Sequence, residues 1–234
     1  MMQRKHISWY TSALAINLLL MLQILLPQAV RAQSRGRVMA EQKDTVALFR
    51  GMAVSVDLFG AGQMLLGNYG QYEAALRFNL KDKYFPIIEL GYGKADATDD
   101  GTNLHYTTSA PYGRIGIDWN LMKNKHDDYR LYGGVRYGFT AYKFDLQGPD
   151  ITDPVWGEQA PYQALGQSCN YHWLEGVFGV DAKLLGPIRL GWSVRYRRRL
   201  AHSEGSAGNS WYVPGFGQQG GSRFGGTFNV AYEF

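Results

Sequence analysis

The sequence has one cysteine among its 234 residues and lacks, outside the N-terminal segment, any long apolar run. A single cysteine cannot form an internal disulfide, so the fold is not predicted to depend on a disulfide framework. Cys169 lies far from the N-terminal segment, which excludes lipid attachment at a processed N-terminal cysteine. The segment 96–101 resembles half of a calcium loop but lacks the bidentate Glu that completes one, and we expect neither a metal nor a cofactor.

The N-terminal segment has the three parts of a secretory signal peptide. Arg4 and Lys5 precede an apolar run from residue 13 to residue 26, and small residues ending at Ala32 provide a cleavage site. The run is about 14 residues long, shorter than the roughly 20 that a membrane-spanning helix requires. We predict that residues 1–32 are a cleaved signal peptide and that residues 33–49 form a flexible periplasmic arm.

The charge of the chain is close to balanced without the signal peptide. The formal net charge is +4, from 24 basic and 20 acidic residues. Residues 1–32 carry three of the basic residues and no acidic residue, which leaves 21 basic against 20 acidic residues in the rest. Because this balance gives no field that would attract a polyanion, we expect no nucleic-acid partner.

Beyond the signal peptide, the main pattern is an alternation of apolar and polar residues, the period of a β-strand with one apolar face. In the last segment, Phe228, Val230 and Tyr232 share one parity, whereas Thr227 and Asn229 share the other. The alternation predicts eight strands, at residues 52–58, 71–80, 88–93, 114–121, 131–141, 174–184, 188–197 and 223–234.

The connections between these strands alternate in length. They are long at 60–70, 95–110, 145–170 and 201–222, and short at 81–83, 122–128 and 186–187. Short periplasmic turns, long extracellular loops and an even strand number are typical of outer-membrane barrels. We predict an all-β fold, an eight-stranded antiparallel up-and-down transmembrane β-barrel over residues 50–234, in the outer membrane of a Gram-negative bacterium. The last strand closes against the first, and we expect barrel-assembly machinery to recognise Phe234.

A soluble lipocalin-like barrel that binds a small molecule in an apolar lumen would show the same alternation. The apolar parity carries Trp119, Trp192 and several phenylalanines, which would overfill the interior of eight strands. The polar parity mixes charged residues with many glycines, which leave room for long side chains. The sequence therefore favours a lipid-facing apolar surface and a polar lumen.

A set of charged side chains points into the lumen on this register, namely Glu73, Arg77, Glu89, Arg114, Asp118, Arg136, Glu175, Asp181, Arg189 and Arg195. Charges in a narrow polar lumen must pair. The strand order predicts three pairs: Glu89 with Arg114, Glu175 with Arg195, and Asp181 with Arg189. We predict a salt-bridged interior with no open pore, because eight strands leave little free space, and a narrow channel is the alternative.

Four polar residues, His172, His202, Ser203 and Glu204, lie near the predicted extracellular ends of strands six and seven. His, Ser and a carboxylate are the components of a hydrolase site, and some small outer-membrane barrels modify lipids. Nothing in the sequence sets the geometry of these residues, so a solvated loop is favoured. We predict a non-enzymatic protein, with a lipid-modifying enzyme as the alternative.

The long loops carry aromatic residues that are candidates for contact with a partner, namely Trp156, Tyr162, Trp211, Tyr212 and Phe216. Exposed aromatic residues often anchor interfaces. The alternative is that they fold the loops back over the mouth of the barrel. We predict that the loops dock another outer-membrane protein or the glycolipid surface, where Arg198 would face anionic phosphates.

Six segments of the chain carry a family resemblance: VSVDL (54–58), IELGY (88–92), GIDWN (116–120), GGVRYGF (133–139), WSVR (192–195) and YVPGF (212–216). Together they resemble an uncharacterised family of Bacteroidetes outer-membrane proteins, a domain of unknown function, over nearly all of the mature chain. The resemblance implies a small outer-membrane barrel. The family has no assigned activity, so the resemblance implies no role for any residue.

Overall fold

The computed structural model describes residues 47–152, 155–205, 208 and 210–234. The predicted signal peptide, residues 1–32, and all but the last three residues of the predicted arm, 33–49, lie outside these described residues. Phe49 already belongs to the first strand, which therefore begins three residues before its predicted start at 52 and one residue before the predicted start of the barrel at 50. Within the described residues, no helix combines the length and apolar character that crossing a membrane requires.

The described chain is built mainly from long strands. In chain order the elements are β1 (Phe49–Asp57), α1 (Leu58–Leu66), β2 (Tyr69–Leu80), β3 (Tyr84–Thr98), β4 (His105–Asn120), β5 (Tyr129–Gln147), β6 (Ile151–Thr152), β7 (Gln159–Ala160), β8 (Gln163–Leu185), β9 (Ile188–His202), β10 (Tyr212–Val213), β11 (Gly217–Gln218) and β12 (Ser222–Glu233). The short strands form two small hairpins, β6 with β7 and β10 with β11, within the long loops.

Eight long strands form one antiparallel sheet that closes on itself in the order β1, β12, β9, β8, β5, β4, β3, β2. Closure is made by β1 and β12, which pair from Ala53 opposite Glu233 to Asp57 opposite Asn229. The Phe234 N–H also donates to the Met52 carbonyl at 2.8 Å. The predicted eight-stranded up-and-down barrel is confirmed.

The two parities of each strand lie on opposite faces of the barrel wall, as the alternation predicts. On the outer face Phe178 and Trp192 are each 54% exposed, within a belt of other apolar side chains. On the inner face Glu89 and Arg114 are each 1% exposed. The central lumen is therefore charged, contrary to the lipocalin-like alternative, which requires an apolar interior.

Helix α1 occupies most of the connection that the sequence predicted to be a Gly-rich loop at 60–70. The Asp57 carboxylate accepts hydrogen bonds from the N–H groups of Phe59 and Gly60, both at 3.1 Å, and so caps the helix. Gly60 is buried, and a Cβ there would lie only 2.7 Å from the Gln71 carbonyl oxygen. The glycine allows the helix to approach β2 closely, and the N-terminal cap starts the helix in spite of the glycines.

Several strands extend further than the alternation predicts, β3, β4, β5 and β8 among them. The sequence assigned 95–110 and 145–170 to loops, whereas β3 and β4 pair as far as Thr98 opposite His105, and β5 and β8 as far as Gln147 opposite Gln163. Hydrogen bonding to a neighbouring strand stabilises these extensions. Their apolar residues lie on the inner face, the parity opposite to the apolar one of the predicted strands, so the pattern does not continue into them. The extracellular-type connections are therefore shorter than predicted, and the wall is taller.

Strand β1 is shorter than both of its neighbours at the loop end of the barrel, the end that carries α1 and the long loops. β12 pairs with β9 as far as Ser222, but with β1 only as far as Asn229. β2 pairs with β3 from Tyr69 onwards, but with β1 only from Ala74 onwards. This leaves a gap in the wall above Asp57, bounded by β2, β12 and α1, which we call the lateral notch.

Candidate functional site

Five charged side chains meet at the centre of the lumen. A guanidinium nitrogen of Arg114 lies 3.0 Å from a carboxylate oxygen of Glu89 and another lies 2.9 Å from Glu175, and Arg114 also donates to Glu73. Arg195 reaches the same carboxylates, Glu89 at 2.9 Å, Glu73 at 3.3 Å and Glu175 at 3.6 Å. Because β3 and β9 lie on opposite sides of the ring, this central network bridges the whole lumen.

A second set of ion pairs continues towards the turn end of the barrel, the end that carries the short connections. Its members are Arg136 with Glu89 at 2.9 Å and Asp118 at 3.0 Å, Arg77 with Asp181 at 2.9 Å and Asp118 at 3.4 Å, and Arg189 with Asp181 at 2.7 Å. Each of these carboxylates has at least two guanidinium partners, so the buried charges are compensated. The three pairs predicted from strand order are all present.

Glycines on the inner parity provide the space that the charged side chains occupy. A Cβ on Gly134 would lie 1.9 Å from a carboxylate oxygen of Asp118, and one on Gly116 would lie 2.6 Å from Cγ of Arg136. No side chain larger than hydrogen fits at these two positions without displacing the network.

An aromatic cluster lies above the central network at the loop end. Its buried members, with three small apolar residues and Cys169, are Ala95, Tyr106, Ala110, Tyr112, Tyr142, Phe144, Cys169, Tyr171, Trp173, Tyr212, Val213 and Phe216. The Trp173 indole N–H donates to a carboxylate oxygen of Glu175 at 2.7 Å, and the Tyr112 hydroxyl donates to Glu73 at 2.7 Å. The cluster therefore excludes water from the upper side of the network and satisfies two of its carboxylates.

Sequence reasoning missed the strand-borne members of this cluster, because all of them lie outside the strands that the alternation predicts. The signal was present in a weak form: Tyr106, Thr108, Ala110 and Tyr112 share one parity, as Cys169, Tyr171 and Trp173 do on the facing strand. In the predicted strands the apolar parity faces outwards, whereas at these residues it faces inwards. The alternation therefore does not continue from the predicted strands into this part of the chain.

The loop between β9 and β12 folds into the mouth of the barrel. Arg114 donates to the Gly215 carbonyl at 2.7 Å, and Arg197 donates to the Phe216 carbonyl at 2.9 Å. Gly215 has a φ of +81°, and a Cβ there would lie 2.5 Å from the Tyr112 ring, so this docked turn requires glycine. Phe216 is 0% exposed and Tyr212 is buried as well. The prediction that these two residues contact a partner is wrong, because both pack inside the mouth.

The other aromatic loop residues remain at the surface. Trp156 and Tyr162 are 80% and 42% exposed in the connection between β5 and β8, which we call the outer hairpin segment (148–162, without 153–154). Trp211 is partly exposed and packs edge-on against Tyr69, with ring centroids 5.7 Å apart. The surface open to a partner therefore lies chiefly on the outer hairpin segment.

The two rim histidines lie on opposite faces of the wall. His172 is on the outer face, where its Nδ1 lies 2.8 Å from the Tyr137 hydroxyl and the two rings stack. His202 is opposite Tyr171 in the β8–β9 register and contacts that ring on the inner face, with centroids 5.9 Å apart. The structure therefore does not bring His172 and His202 together.

Ser203 and Glu204 make separate local contacts. The Ser203 hydroxyl accepts a hydrogen bond from the Asn170 N–H at 2.8 Å, and Glu204 lies 3.3 Å from Nε2 of His202. Among the described residues, the Ser203 hydroxyl has no hydrogen bond to an imidazole, the contact that a nucleophilic serine requires. In this part of the chain there is also no group of three or more His, Cys, Asp and Glu side chains arranged to hold a metal.

A polar cluster lies at the turn end around Asp82, which has a φ of +55° in the turn between β2 and β3. Its carboxylate accepts a hydrogen bond from the Asn79 amide at 2.6 Å, lies 2.6 Å from Nδ1 of His126 and pairs with Arg50. Burial raises the pKa of Asp82, but the hydrogen bonds of Asn79 and His126 and the charges of Arg50 and Arg130 outweigh it and hold the pKa below its usual value.

This lowered pKa predicts that the Asp82 cluster loses its stabilising effect in acid. A carboxylate with a lowered pKa stabilises the folded state above its unfolded pKa of about 4, and the contribution is lost as the pH falls through the folded value. We expect Asp82→Asn, which tolerates the positive φ, to be less stable than wild type at pH 7 and to approach it below about pH 4. Urea unfolding of both proteins from pH 7 to pH 3 measures the difference, and a constant difference would contradict the assignment.

Comparison with known proteins gives a family match and a general likeness to solved barrels. Residues 11–234 match the model of a family described as a domain of unknown function (DUF6048). The sequence matches no curated protein. Similar solved structures include Ail, the attachment invasion locus protein of Yersinia pestis, in complex with the heparin analogue sucrose octasulfate, and a major outer membrane protein from Thermus thermophilus. Identity to Ail is 12%, with a TM-score of 0.37 over 79% of this chain and 94% of Ail. Identity to the Thermus protein is 16%, with a TM-score of 0.38 over 79% of this chain and 100% of that protein.

Proposed function

This chain belongs to the DUF6048 family, whose description assigns no activity, and from the geometry we propose that it is a sealed outer-membrane barrel that acts through its outer surfaces. The apolar belt on the outside of the wall supports a position in a lipid bilayer, since a closed ring of strands leaves no unpaired edge in lipid apart from the lateral notch. The location follows as the outer membrane of a Gram-negative bacterium, where such barrels occur.

The observation that carries this proposal is the filled lumen. The central network joins opposite sides of the ring through Arg114 and Arg195, which are 1% and 2% exposed. The docked loop covers the mouth above it, with Phe216 packed against Tyr171 and Trp173 at centroid distances of 4.8 and 6.0 Å. A solute would have to break several buried ion pairs to cross, so we propose a role without conduction.

Planar bilayer recordings test the sealed state. We expect the reconstituted wild-type protein to show no stable conductance, because opening a path requires both release of the loop and separation of the central network. An open-lumen porin reconstituted in the same bilayers serves as the positive control. Reproducible single-channel steps from the wild-type protein would favour the narrow-channel alternative and overturn the proposal.

We also propose that the protein is not an enzyme. The separation of His172 and His202 onto opposite faces of the wall supports this, as does the engagement of the Ser203 hydroxyl by a backbone N–H. Lipid A profiling of a deletion strain tests the alternative. An altered acylation pattern, restored by the wild-type gene and not by Ser203→Ala, would support a lipid-modifying enzyme.

Phe234 supports a role in assembly. It is 68% exposed at the turn end and contacts Tyr232, with ring centroids 4.8 Å apart. An exposed aromatic pair on the closing strand is accessible to the barrel-assembly machinery before β1 and β12 are fully paired. This remains a proposal about biogenesis, separate from the function of the folded barrel.

The finer part of the proposal is that the outer hairpin segment docks another outer-membrane protein. Ile151 and Trp156 are 56% and 80% exposed there, and Tyr162 is partly exposed, which makes an apolar and aromatic surface beyond the wall. Exposed aromatic residues of this kind commonly dominate the binding energy of an interface. The docked partner would therefore be held chiefly by Trp156 and Tyr162.

A paired substitution tests this docking. The variant Trp156→Ser with Tyr162→Ser is expected to lose a co-eluting outer-membrane protein by about tenfold or more, since each aromatic anchor is of hot-spot type. The matched control, Trp156→Tyr with Tyr162→Phe, keeps two aromatic rings and should retain it. The measurement is quantitative mass spectrometry after purification from native membranes in mild detergent. Equal recovery in all three proteins would exclude the hairpin as the interface.

A further inference from the structure

A polar cavity lies at the lateral notch. The cavity has a volume of about 160 Å³, and the residues that line it include Asp57, Gln63, Gln71, Arg197, Arg223 and Gly226. It lies where β12 continues beyond its last pair with β1, so the wall has no strand between β12 and β2 at this level. The cavity therefore lies between α1, β2 and β12, and Phe216 and Gln218 of the docked loop also line it.

Two polar groups that line the cavity support a ligand there. Gln71 is 8% exposed, yet within the described chain its side-chain amide makes no hydrogen bond. Arg223 is bonded only to backbone carbonyls, donating to Gln218 at 3.0 Å and Gln219 at 3.4 Å, and among the described residues it has no carboxylate partner. A guanidinium without a carboxylate partner, beside an amide that can donate a hydrogen bond, provides donors for an anionic group.

The carboxylate of the cavity is engaged elsewhere. Asp57 accepts hydrogen bonds from the N–H groups of Phe59, Gly60 and Phe228, each at 3.1 Å. It joins the start of α1 to the edge of β12 and shapes the lower boundary of the notch. Arg197 is paired with Glu175 and places its guanidinium 3.3 Å from where a Cβ on Gly225 would lie. Arg223 is therefore the arginine whose charge is open to an anion.

An apolar cavity adjoins the polar one on the outer side of α1. It has a volume of about 450 Å³ and shares Phe59, Gln63 and Tyr69 with the polar cavity. Its other lining includes Leu58 and Leu66, and Leu66 is 93% exposed. The two cavities together present a cationic, hydrogen-bonding end and an apolar end, which match an amphiphile with an anionic head and an acyl chain.

We propose that the lateral notch binds the phosphate-bearing headgroup of an outer-leaflet lipid, with one acyl chain along α1. The phosphate oxygens would accept hydrogen bonds from Arg223 and the Gln71 amide, and the chain would cover Leu58, Phe59 and Leu66. This inference rests on the proposed membrane position, and it adds a defined lipid site to that position. Basic pockets at the membrane interface recognise lipid headgroups in this way.

Binding of a defined lipid to the full chain in detergent tests the site. The probe is phosphatidic acid with two dodecanoyl chains, titrated and counted by native mass spectrometry, with the matching diacylglycerol as the lipid without phosphate. We expect Arg223→Gln to bind phosphatidic acid about tenfold more weakly, since a charge-assisted hydrogen bond is lost. We expect Lys123→Gln, which removes a charge from the exposed turn between β4 and β5 at the opposite end of the barrel, to change binding less than twofold.

A second variant tests the apolar half of the site. A Cβ added at Gly62 would meet no atom within 4 Å, and Gly62 lines the apolar cavity, so we choose Gly62→Phe to place a ring in the groove beside α1. We expect this variant to bind phosphatidic acid about tenfold more weakly too, because the phenyl ring occupies the space proposed for the acyl chain. Folding of each variant is checked by heat-dependent electrophoretic mobility.

Three outcomes would overturn the proposal. The first is equal binding of phosphatidic acid by wild type and both site variants. The second is equal binding of diacylglycerol and phosphatidic acid by wild type. The third is displacement of the lipid by inorganic phosphate at the same concentration, which would assign the site to a free anion. Insertion into lipid vesicles is measured in parallel, so a failure of the membrane position is separated from a failure of the lipid site.

Discussion

Replacing Arg114 with methionine should lower the free energy of unfolding by about 3–5 kcal/mol. Arg114 contacts Glu73, Glu89 and Glu175 at the centre of the lumen and also holds the carbonyl of Gly215. Methionine keeps most of the side-chain volume but removes the positive charge, so three buried carboxylates would share Arg195 and their other partners. Urea unfolding in lipid vesicles, followed by tryptophan fluorescence, measures the change.

The matched control removes a charge from an exposed ion pair. Lys94 and Asp96 lie 3.9 Å apart and their side chains are 54% and 51% exposed. Lys94→Met should change the free energy of unfolding by no more than about 1 kcal/mol, because exposed pairs are screened by solvent. If Arg114→Met had an effect as small as this, the central network would not be a main source of stability.

Truncating Phe216 to alanine should release the docked loop. Phe216 is fully buried among Tyr171 and Trp173, and removal of a buried phenyl ring costs about 3–5 kcal/mol. The cost falls on the docking of the loop, because the barrel strands keep their own hydrogen bonds. We expect chymotrypsin to cleave after Trp211 or Tyr212 at least about a hundredfold faster than in wild type.

Phe224→Ala provides the control for this prediction. Phe224 lies on the neighbouring part of β12 but points outwards and is 77% exposed. Its truncation removes the same ring without changing the mouth, and the loop should stay resistant to chymotrypsin. Cleavage of the Phe216→Ala loop at the wild-type rate would show that the arginine contacts to Gly215 and Phe216 hold the loop without the ring.

The barrel and its inner charges could be predicted from the sequence because both depend on a local period. Glu89 and Arg114 lie on the inner parity of consecutive strands, and alternation together with the strand order places them face to face. Contacts between strands on opposite sides of the ring could not be predicted without the closed barrel. Arg195, for example, reaches Glu89 across the lumen from β9. Strand parity therefore predicts which charges are inside, and the shape of the barrel decides how they combine.

The docked loop and the lateral notch could not be predicted from a periodic pattern. Docking depends on Gly215, whose positive φ and missing side chain allow contact with Tyr112. The notch depends on where β1 ends, and that is decided by Asp57, whose side chain caps α1 and binds an N–H of β12. These features arise from single residues meeting segments far away in sequence, which a single sequence does not reveal.

The central network also sets conditions on how the protein is made. Its carboxylates and arginines come from β2, β3, β4, β8 and β9, so the charges of β2, β3 and β4 are fully compensated only when β8 and β9 arrive. A partly built wall would expose uncompensated arginine and glutamate on its concave side. The free energy of such an intermediate in hydrocarbon is high. We therefore expect the strands to assemble in water or on a chaperone and the barrel to enter the bilayer when it is nearly complete. The same charges that seal the finished barrel therefore favour insertion as a single cooperative step.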